Sequence, residues 1–291
     1  MKTWNRDTIL RLCTGAGSIA LRHFDQPTKD YKEDDSVVTQ ADRGIEEFLS
    51  REFDDPGEGS RILGEETVST RSDDYLAEAL RSVGWVVDPI DGTVLYANHL
   101  EGWGISIGFM QQGVLREGVV YFPLTGEVFI TDSGKVLHGT IDVSLADLDA
   151  QAASARLEPL TAPDGRFVKS GIIAVTQELT RKQGIPFDGP IYAGGSAVHP
   201  LVSLLLGRMM AYVGQLKIWD FAGALPLLLN LGAVMSLDDG TPIDGGVSEE
   251  IYYLEADDPK RFSTRGNIVV AFDEDTHSRL REALDAVAEP A

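Results

Sequence analysis

Apolar residues near the start recur at Ile9, Leu12, Cys13, Ala16 and Ala20, the spacing of one helical face, and predict an amphipathic helix reaching Phe24. A polar stretch from Asp25 to Ser36 breaks the pattern and reads as a loop. Thr39 then stands three residues before Asp42, and Ile45, Phe48, Leu49 and Phe53 resume the helical period, so a second helix with a capping-box start is expected. Ile62 and Leu63 lead into Gly64-Glu65-Glu66, and a short helix is expected from Tyr75 to Arg81. The run Val83 to Val87 is continuously apolar, stops at Asp88, and reads as a buried strand feeding a loop.

Alternating or apolar stretches follow at Gly104 to Met110, Val114 to Phe122 and Glu127 to Thr131. The turns between them, Gln111-Gln112-Gly113 and Pro123-Leu124-Thr125-Gly126, make these an antiparallel meander. From Gly139 to Arg166 the composition shifts to Ala, Asp and Leu, which places a domain boundary at 140/141. Beyond it, short strands are expected at Gly171 to Val175, Pro190 to Ala193, Met209 to Val213, Glu250 to Leu254 and Asn267 to Ala271. Helices lie between, including Leu201 to Leu206 and Ala222 to Leu231, so residues 141–291 read as α/β and residues 1–140 as α+β.

A chain of 291 residues, 43% hydrophobic and 24% charged, can bury a sizeable core and is not disordered. Acidic residues outnumber basic ones 46 to 25, a formal charge of -21. That field repels nucleic acid and anionic membranes and attracts divalent cations. The single cysteine, Cys13, excludes an intrachain disulfide and any multi-cysteine metal site, which fits a reducing compartment. Met1 to Leu12 has no signal-peptide core and no apolar run reaches the roughly 18 residues of a membrane span, so a cytoplasmic, soluble protein is expected.

Chemistry concentrates in Asp88-Pro89-Ile90-Asp91-Gly92-Thr93. Pro89 fixes φ and lacks an N–H, so both carboxylates and the Ile90 carbonyl can converge, a set of hard oxygens suited to Mg2+. Gly92 lets the backbone approach a ligand, and the N–H groups of Gly92 and Thr93 can form a phosphate-binding helix end. Glu65 and Asp220 read as two further strand-end carboxylates. Blander readings stand beside these: a hydrogen-bonded turn for the loop, a helix N-cap for Asp220, a solvated neighbour for Glu66, and the capping-box partner of Thr39 for Asp42.

Other motifs fail on context. Gly15-Ala16-Gly17-Ser18-Ile19-Ala20 has dinucleotide-fingerprint letters inside a helix with no preceding strand. Gly104-Ile105-Ser106-Ile107-Gly108 has nucleophile-elbow letters, but the alternation continues where an elbow needs a helix, so Ser106 reads as a strand residue. The five histidines form no zinc spacing, and Trp85, Trp103 and Trp219 read as core.

Together Val38-Thr39-Gln40-Ala41-Asp42, Gly64-Glu65-Glu66, Asp88 to Thr93, Ser106-Ile107-Gly108, Gly195-Ser196-Ala197 and Trp219-Asp220-Phe221-Ala222-Gly223 resemble the inositol monophosphatase family of Mg2+-dependent, lithium-sensitive phosphomonoesterases. The resemblance implies a layered αβαβα sandwich and a homodimer. Glu65, Asp88 and the Ile90 carbonyl would hold one Mg2+, and Asp88, Asp91 and Asp220 a second, with a weaker third ion near Glu65. Thr93 with Asp42 would orient and help deprotonate the attacking water, Gly92 and Thr93 would cradle the phosphate, and Gly195, Ser196 and Ala197 would line the substrate mouth. Two cations can activate water on one side of phosphorus and stabilise the leaving alkoxide on the other.

The chain also departs from the family pattern. Val94-Leu95-Tyr96 stands where relatives carry Asn-Phe, and Val213 stands where inositol phosphatases carry a hydroxyl-binding Glu. Pro226 is expected to kink the helix after Asp220, and Lys217 could reach a second phosphate. The expected substrate is a small phosphate monoester, with inositol 1-phosphate-like esters and fructose 1,6-bisphosphate level, ahead of 3'-phosphoadenosine 5'-phosphate and histidinol phosphate. The readings from other classes are a catalytically silent interaction protein with the same fold and a serine hydrolase using Ser106.

Overall fold

The computed structural model describes residues 1–32, 36–141, 155–182, 187 and 189–288. In the first half the elements are α1 (Arg6–Phe24), β1 (Lys29–Tyr31), β2 (Val37–Thr39), α2 (Gln40–Phe53), β3 (Ser60–Gly64), α3 (Asp73–Arg81), β4 (Val83–Asp91), α4 (Thr93–Ala97), β5 (Gly104–Gln111), β6 (Val114–Phe122), β7 (Glu127–Asp132), β8 (Lys135–Ile141) and β9 (Ala155–Pro159). In the second half they are β10 (Ile173–Val175), α5 (Gln177–Lys182), β11 (Ile191–Tyr192), α6 (Val198–Leu205), β12 (Ala211–Gly214), α7 (Ile218–Ala222), α8 (Leu225–Asn230), β13 (Val234–Leu237), β14 (Ile268–Ala271) and α9 (Glu274–Ala288).

Strand alternation builds the layers. In β5, Ile105, Ile107 and Phe109 pack under α1 and α2, whereas Met110 joins the core on the opposite face with α6, α7 and α8. The same period in β4 sends Trp85 and Val87 to the first core and Val86 to the second, which puts Asp88 on the face of the middle helices. A seven-stranded sheet, β3 to β9 in order, is antiparallel except for the β3–β4 pair. The second sheet, ordered β11-β10-β12-β14-β13, is parallel through β11, β10 and β12 and antiparallel at β14. Its far face buries Val175, Val213 and Val269 with Leu280 and Leu284 of α9. Helices, sheet, helices, sheet, helices: the chain is the expected αβαβα sandwich.

The expected meander forms, and Trp85, Trp103 and Trp219 are core residues. Several expectations are corrected. β4 does not stop at Asp88 but runs to Asp91, with its register to β5 shifting between those residues, where Pro89 has no N–H to donate. The polar stretch after α1 contains β1, paired antiparallel with β2. Glu250 to Leu254 forms no strand; its β-prone aromatics find only the isolated bridge Tyr252–Thr264. The apolar run from Ala222 is two helices that break at Gly223-Ala224, and Pro226 opens α8 in its first turn, where the missing N–H costs nothing. β9 extends the first sheet from beyond the boundary expected at 140/141. Among the described residues, no helix is long and apolar enough to cross a membrane.

Candidate metal centre

Asp88, Asp91 and Asp220 meet in the middle of the sandwich. One carboxylate oxygen from each lies within 4.8 Å of the others. Asp88 and Asp91 come from the irregular end of β4. Asp220 comes from the first turn of α7, so the expected strand-end placement is corrected: β12 ends at Gly214, and three loop residues precede the helix. Its Oδ2 accepts the Lys217 N–H at 2.9 Å, so the N-cap of α7 is Lys217 and Asp220, read as a possible N-cap, is instead the third helical residue bonding back to it, while its carboxylate also faces the other two acids. A cleft of about 350 Å³ opens over the group and is lined by Glu65, Ile90, Gly92, Thr93, Thr176, Gln177, Gly195, Ser196, Ala197 and Gln215 among others.

Glu65 lines this cleft but does not belong to the tight trio. It follows β3 and its Oε1 is held by Lys32 at 2.8 Å; the same ammonium reaches Glu66 Oε1 at 2.8 Å. Glu66 is therefore paired, not merely solvated, and burial with the neighbouring Glu65 pushes its carboxyl up to about 7. Lys32, against the cost of its own burial, is kept charged by Glu65 and Glu66.

Asp42 forms the capping box and also reaches Thr93. Its Oδ2 accepts the Thr39 N–H at 2.8 Å and the Thr39 hydroxyl at 2.6 Å, closing the capping box of α2. Its Oδ1 lies 3.3 Å from the Thr93 hydroxyl, which also reaches the Ile90 carbonyl at 3.0 Å. One hydroxyl proton thus has two acceptors within reach. Gly92, at φ +87°, is the N-cap of α4, and the left-handed turn it permits leads into the first helical residues, Thr93 and Val94, which line the cleft.

Asp91 takes its donors from the second half of the chain. It accepts the Ala197 N–H at 3.0 Å, the Val198 N–H at 3.0 Å and the Ser196 hydroxyl, so it caps α6 of the second half. Ser196 and Ala197, expected at the substrate mouth, do line the cleft, but their donors are spent on Asp91.

Electrostatics sets this cluster apart from ordinary surface acids. Burial, then repulsion from Glu65, Asp91, Asp220 and Asp42, holds the Asp88 carboxyl well above the usual range. Burial raises Asp91 to about 6 against the donors that stabilise its charge, and burial with Asp91 and Glu65 raises Asp220 to about 8. Burial likewise brings Asp42 to about 6. Asp88 Oδ1 is buried with no hydrogen-bond partner. Three crowded carboxylates and an orphaned hard oxygen are a donor set that a divalent cation would satisfy.

Two contributors escaped the sequence reading. Lys32 contacts Glu65 across 33 positions, a pairing that no local pattern announces. Glu46 is buried behind the Glu65 turn, accepts the Glu66 N–H at 2.8 Å and the Thr67 hydroxyl, and is raised to about 7 by its burial. Its signal was available: Asp42 and Glu46 are four apart on α2, which stacks two acids on a buried face. Val213 packs under α9 and faces away from the cleft. Lys217 is exposed, with its ammonium 5.3 Å from the Trp219 ring centre, and does not line the cleft. Ser106 is a buried residue of β5 bonded to backbone at both its donor and acceptor positions, which removes the serine-hydrolase reading.

Known proteins resemble this chain in sequence and fold. The profile of the inositol monophosphatase family matches residues 6–286. An inositol-1-monophosphatase of Bacillus subtilis is 26% identical over 209 residues, 71% of this chain and 74% of its own length. A histidinol-phosphatase of Chlorobaculum parvum is 32% identical over 235 residues, 77% of this chain and 82% of its own. Among solved structures, the extragenic suppressor protein suhB from Bartonella henselae shares the fold at TM-score 0.69 and 20% identity, covering 96% of this chain and 97% of that one. With the acid cluster and the layered fold, these matches place the chain in the inositol monophosphatase family, that of metal-dependent phosphoric monoester hydrolases.

Proposed function

We propose that this chain releases phosphate from small monoesters of neutral, polyol-like alcohols, with Mg2+ held by Asp88, Asp91 and Asp220. The observation that carries the reading is the convergence of those three carboxylates beside Thr93. Glu65 and the Ile90 carbonyl complete the ligand set, as the family resemblance implies, for two ions and a weaker third. When bound, Mg2+ supplies Lewis acidity: it neutralises charge on the phosphoryl oxygens and lowers the pKa of water.

The chain's own groups do the rest. Thr93 orients the attacking water with its hydroxyl, and Asp42, with a carboxyl raised to about 6, stands within reach to relay the proton. The Gly92 and Thr93 N–H groups receive phosphate oxygens. Thr93→Ala is expected to lower turnover by about 10²-fold, the usual share of a positioned proton-transfer group, with Mg2+ binding retained in calorimetry.

Cleft composition narrows the alcohol. Among the described residues no Lys, Arg or His lines it; Thr176, Gln177 and Gln215 do. Neutral hydroxyl and amide groups suit the hydroxyls of a polyol or sugar and offer no positive charge to a second phosphate. This favours inositol-phosphate-like or sugar monoesters over fructose 1,6-bisphosphate and 3'-phosphoadenosine 5'-phosphate. A cationic amine is tolerated beside so many acids, consistent with a histidinol-phosphatase among the relatives. Phosphate release with Mg2+ from a panel of these esters decides: monoesters should outpace both bisphosphates, and equal rates on all would refute the preference. A homodimeric, lithium-sensitive, cytoplasmic enzyme is part of the same proposal.

A further inference from the structure

The trio draws acids from two different layers, so their spacing depends on how a strand is tied to a helix. Ser106 is directly opposite Asp88 in the β4–β5 register. Opposed residues of an antiparallel pair carry their side chains on the same face, here the face of the middle helices. The Ser106 hydroxyl donates to the Trp219 carbonyl at 3.1 Å and accepts the Gly223 N–H at 3.1 Å. Those two backbone groups are four residues apart, the pair that an uninterrupted α-helix joins directly. The serine oxygen stands between them, and Asp220 sits inside the turn it splices.

Close approach makes this possible. A Cβ on Gly108 would lie 2.6 Å from the Ala222 carbonyl oxygen, and one on Gly223 would lie 2.5 Å from that of Val119. Bare backbone on both sides lets α7 settle onto β5 and β6. The Gly104-x-Ser106-x-Gly108 letters thus mark a helix seat, not a nucleophile.

We propose that Ser106 is a positioning residue that sets the separation of Asp88 and Asp220, by coupling the strand on which it faces Asp88 to the α7 turn that carries Asp220. The proposal rests on the reading of the three acids as a cation site. Without the hydroxyl, the Gly223 N–H and the Trp219 carbonyl lose their bridge and the turn closes on itself, carrying Asp220 out of register with its partners. Groups that orient metal ligands typically cost 10- to 100-fold in affinity when removed, so Ser106→Ala should weaken Mg2+ binding by about 10-fold or more.

The test is calorimetric titration of Mg2+ into wild type, Ser106→Ala, Ser60→Ala and Asp220→Asn, with metal-free melting temperatures for each. Ser60 is the control for loss of a buried hydroxyl: it lies in β3, its one hydroxyl proton has the Phe53 and Met1 carbonyls within reach at 2.7 Å each, and it is outside the cleft. Ser60→Ala should keep Mg2+ affinity within about 2-fold while losing stability, since its partners are not shared with the acids. Unchanged affinity in Ser106→Ala, or an equal loss in Ser60→Ala, overturns the positioning role alone. A wild type that binds no Mg2+, or an Asp220→Asn that binds it as well as wild type, overturns the reading of the acids, and the assignment of Ser106 falls with it.

Discussion

Asp220→Asn is expected to lose phosphate release by about 10³-fold or more and, without metal, to melt at a higher temperature than wild type. The first effect follows from charge stabilisation of several kcal/mol, since each ~1.4 kcal/mol is tenfold in rate. The second follows from the crowding of the acids. Asparagine keeps an oxygen to accept the Lys217 N–H that Asp220 now receives at 2.9 Å, so the start of α7 survives. What disappears is a carboxyl pushed to about 8 by burial, Asp91 and Glu65. Relief of that cost at neutral pH is on the order of 2 kcal/mol, which shifts the melting temperature of a chain this size by several degrees. Rate assays and scanning calorimetry on one preparation check both halves. A variant that is inactive and also less stable without metal would mean that the Asp220 carboxyl stabilises the metal-free fold and carries no cost of crowding, and near-wild-type turnover would remove Asp220 from the site.

The second large effect couples pH to metal. An acid whose folded pKa is raised binds its proton more tightly folded than unfolded, so no penalty exists below its unfolded value. The penalty grows as pH climbs from that value to the folded one, and is complete above it. For Asp220 that window runs from 3.8 to about 8. Asp91 and Asp42 act in the same sense up to about 6, and Glu46 and Glu66 up to about 7. Metal-free protein should therefore lose stability across this range as pH rises, and Mg2+, bound by the ionised acids as proposed, should restore it. At an excess of 100-fold over the dissociation constant, one ion adds about 2.7 kcal/mol, or roughly 5–10 °C, near pH 8. Near pH 5 the shift should almost vanish, because Mg2+ must then displace protons. Melting curves with and without Mg2+ at both pH values measure this, with Na+ at matched ionic strength as control. The same shift at both pH values would show that the ion binds elsewhere.

Parts of this centre were readable from residue spacing alone. The Thr39–Asp42 capping box and the meander are local patterns that folded as local rules require, and the Asp88-Pro89-Ile90-Asp91-Gly92-Thr93 motif was legible as a motif, although its first four residues lie in β4 and not in a loop. What escaped was decided at long range. Asp220 was misplaced because the run from Tyr212 to Trp219 is apolar enough to hide a three-residue break and a five-residue helix with no room for a period. The reverse error occurred at Glu250 to Leu254, where β-prone aromatics had no strand to pair with beyond one bridge. β9 was invisible because its Arg and Glu residues suit an exposed edge and lack a core pattern. The Lys32–Glu65 pair and the splice at Ser106 exist only once distant segments have met.

Asp91 accepts donors from Ser196, Ala197 and Val198 while it faces Asp88 and Asp220, and the residues around it form one core spanning both sheets. The carboxylate is therefore a bolt as well as a member of the proposed ligand set. A hinge between the two halves would have to strip it of these bonds before it could swing, so Asp91 ties the cleft's two walls together and opposes a clamshell stroke.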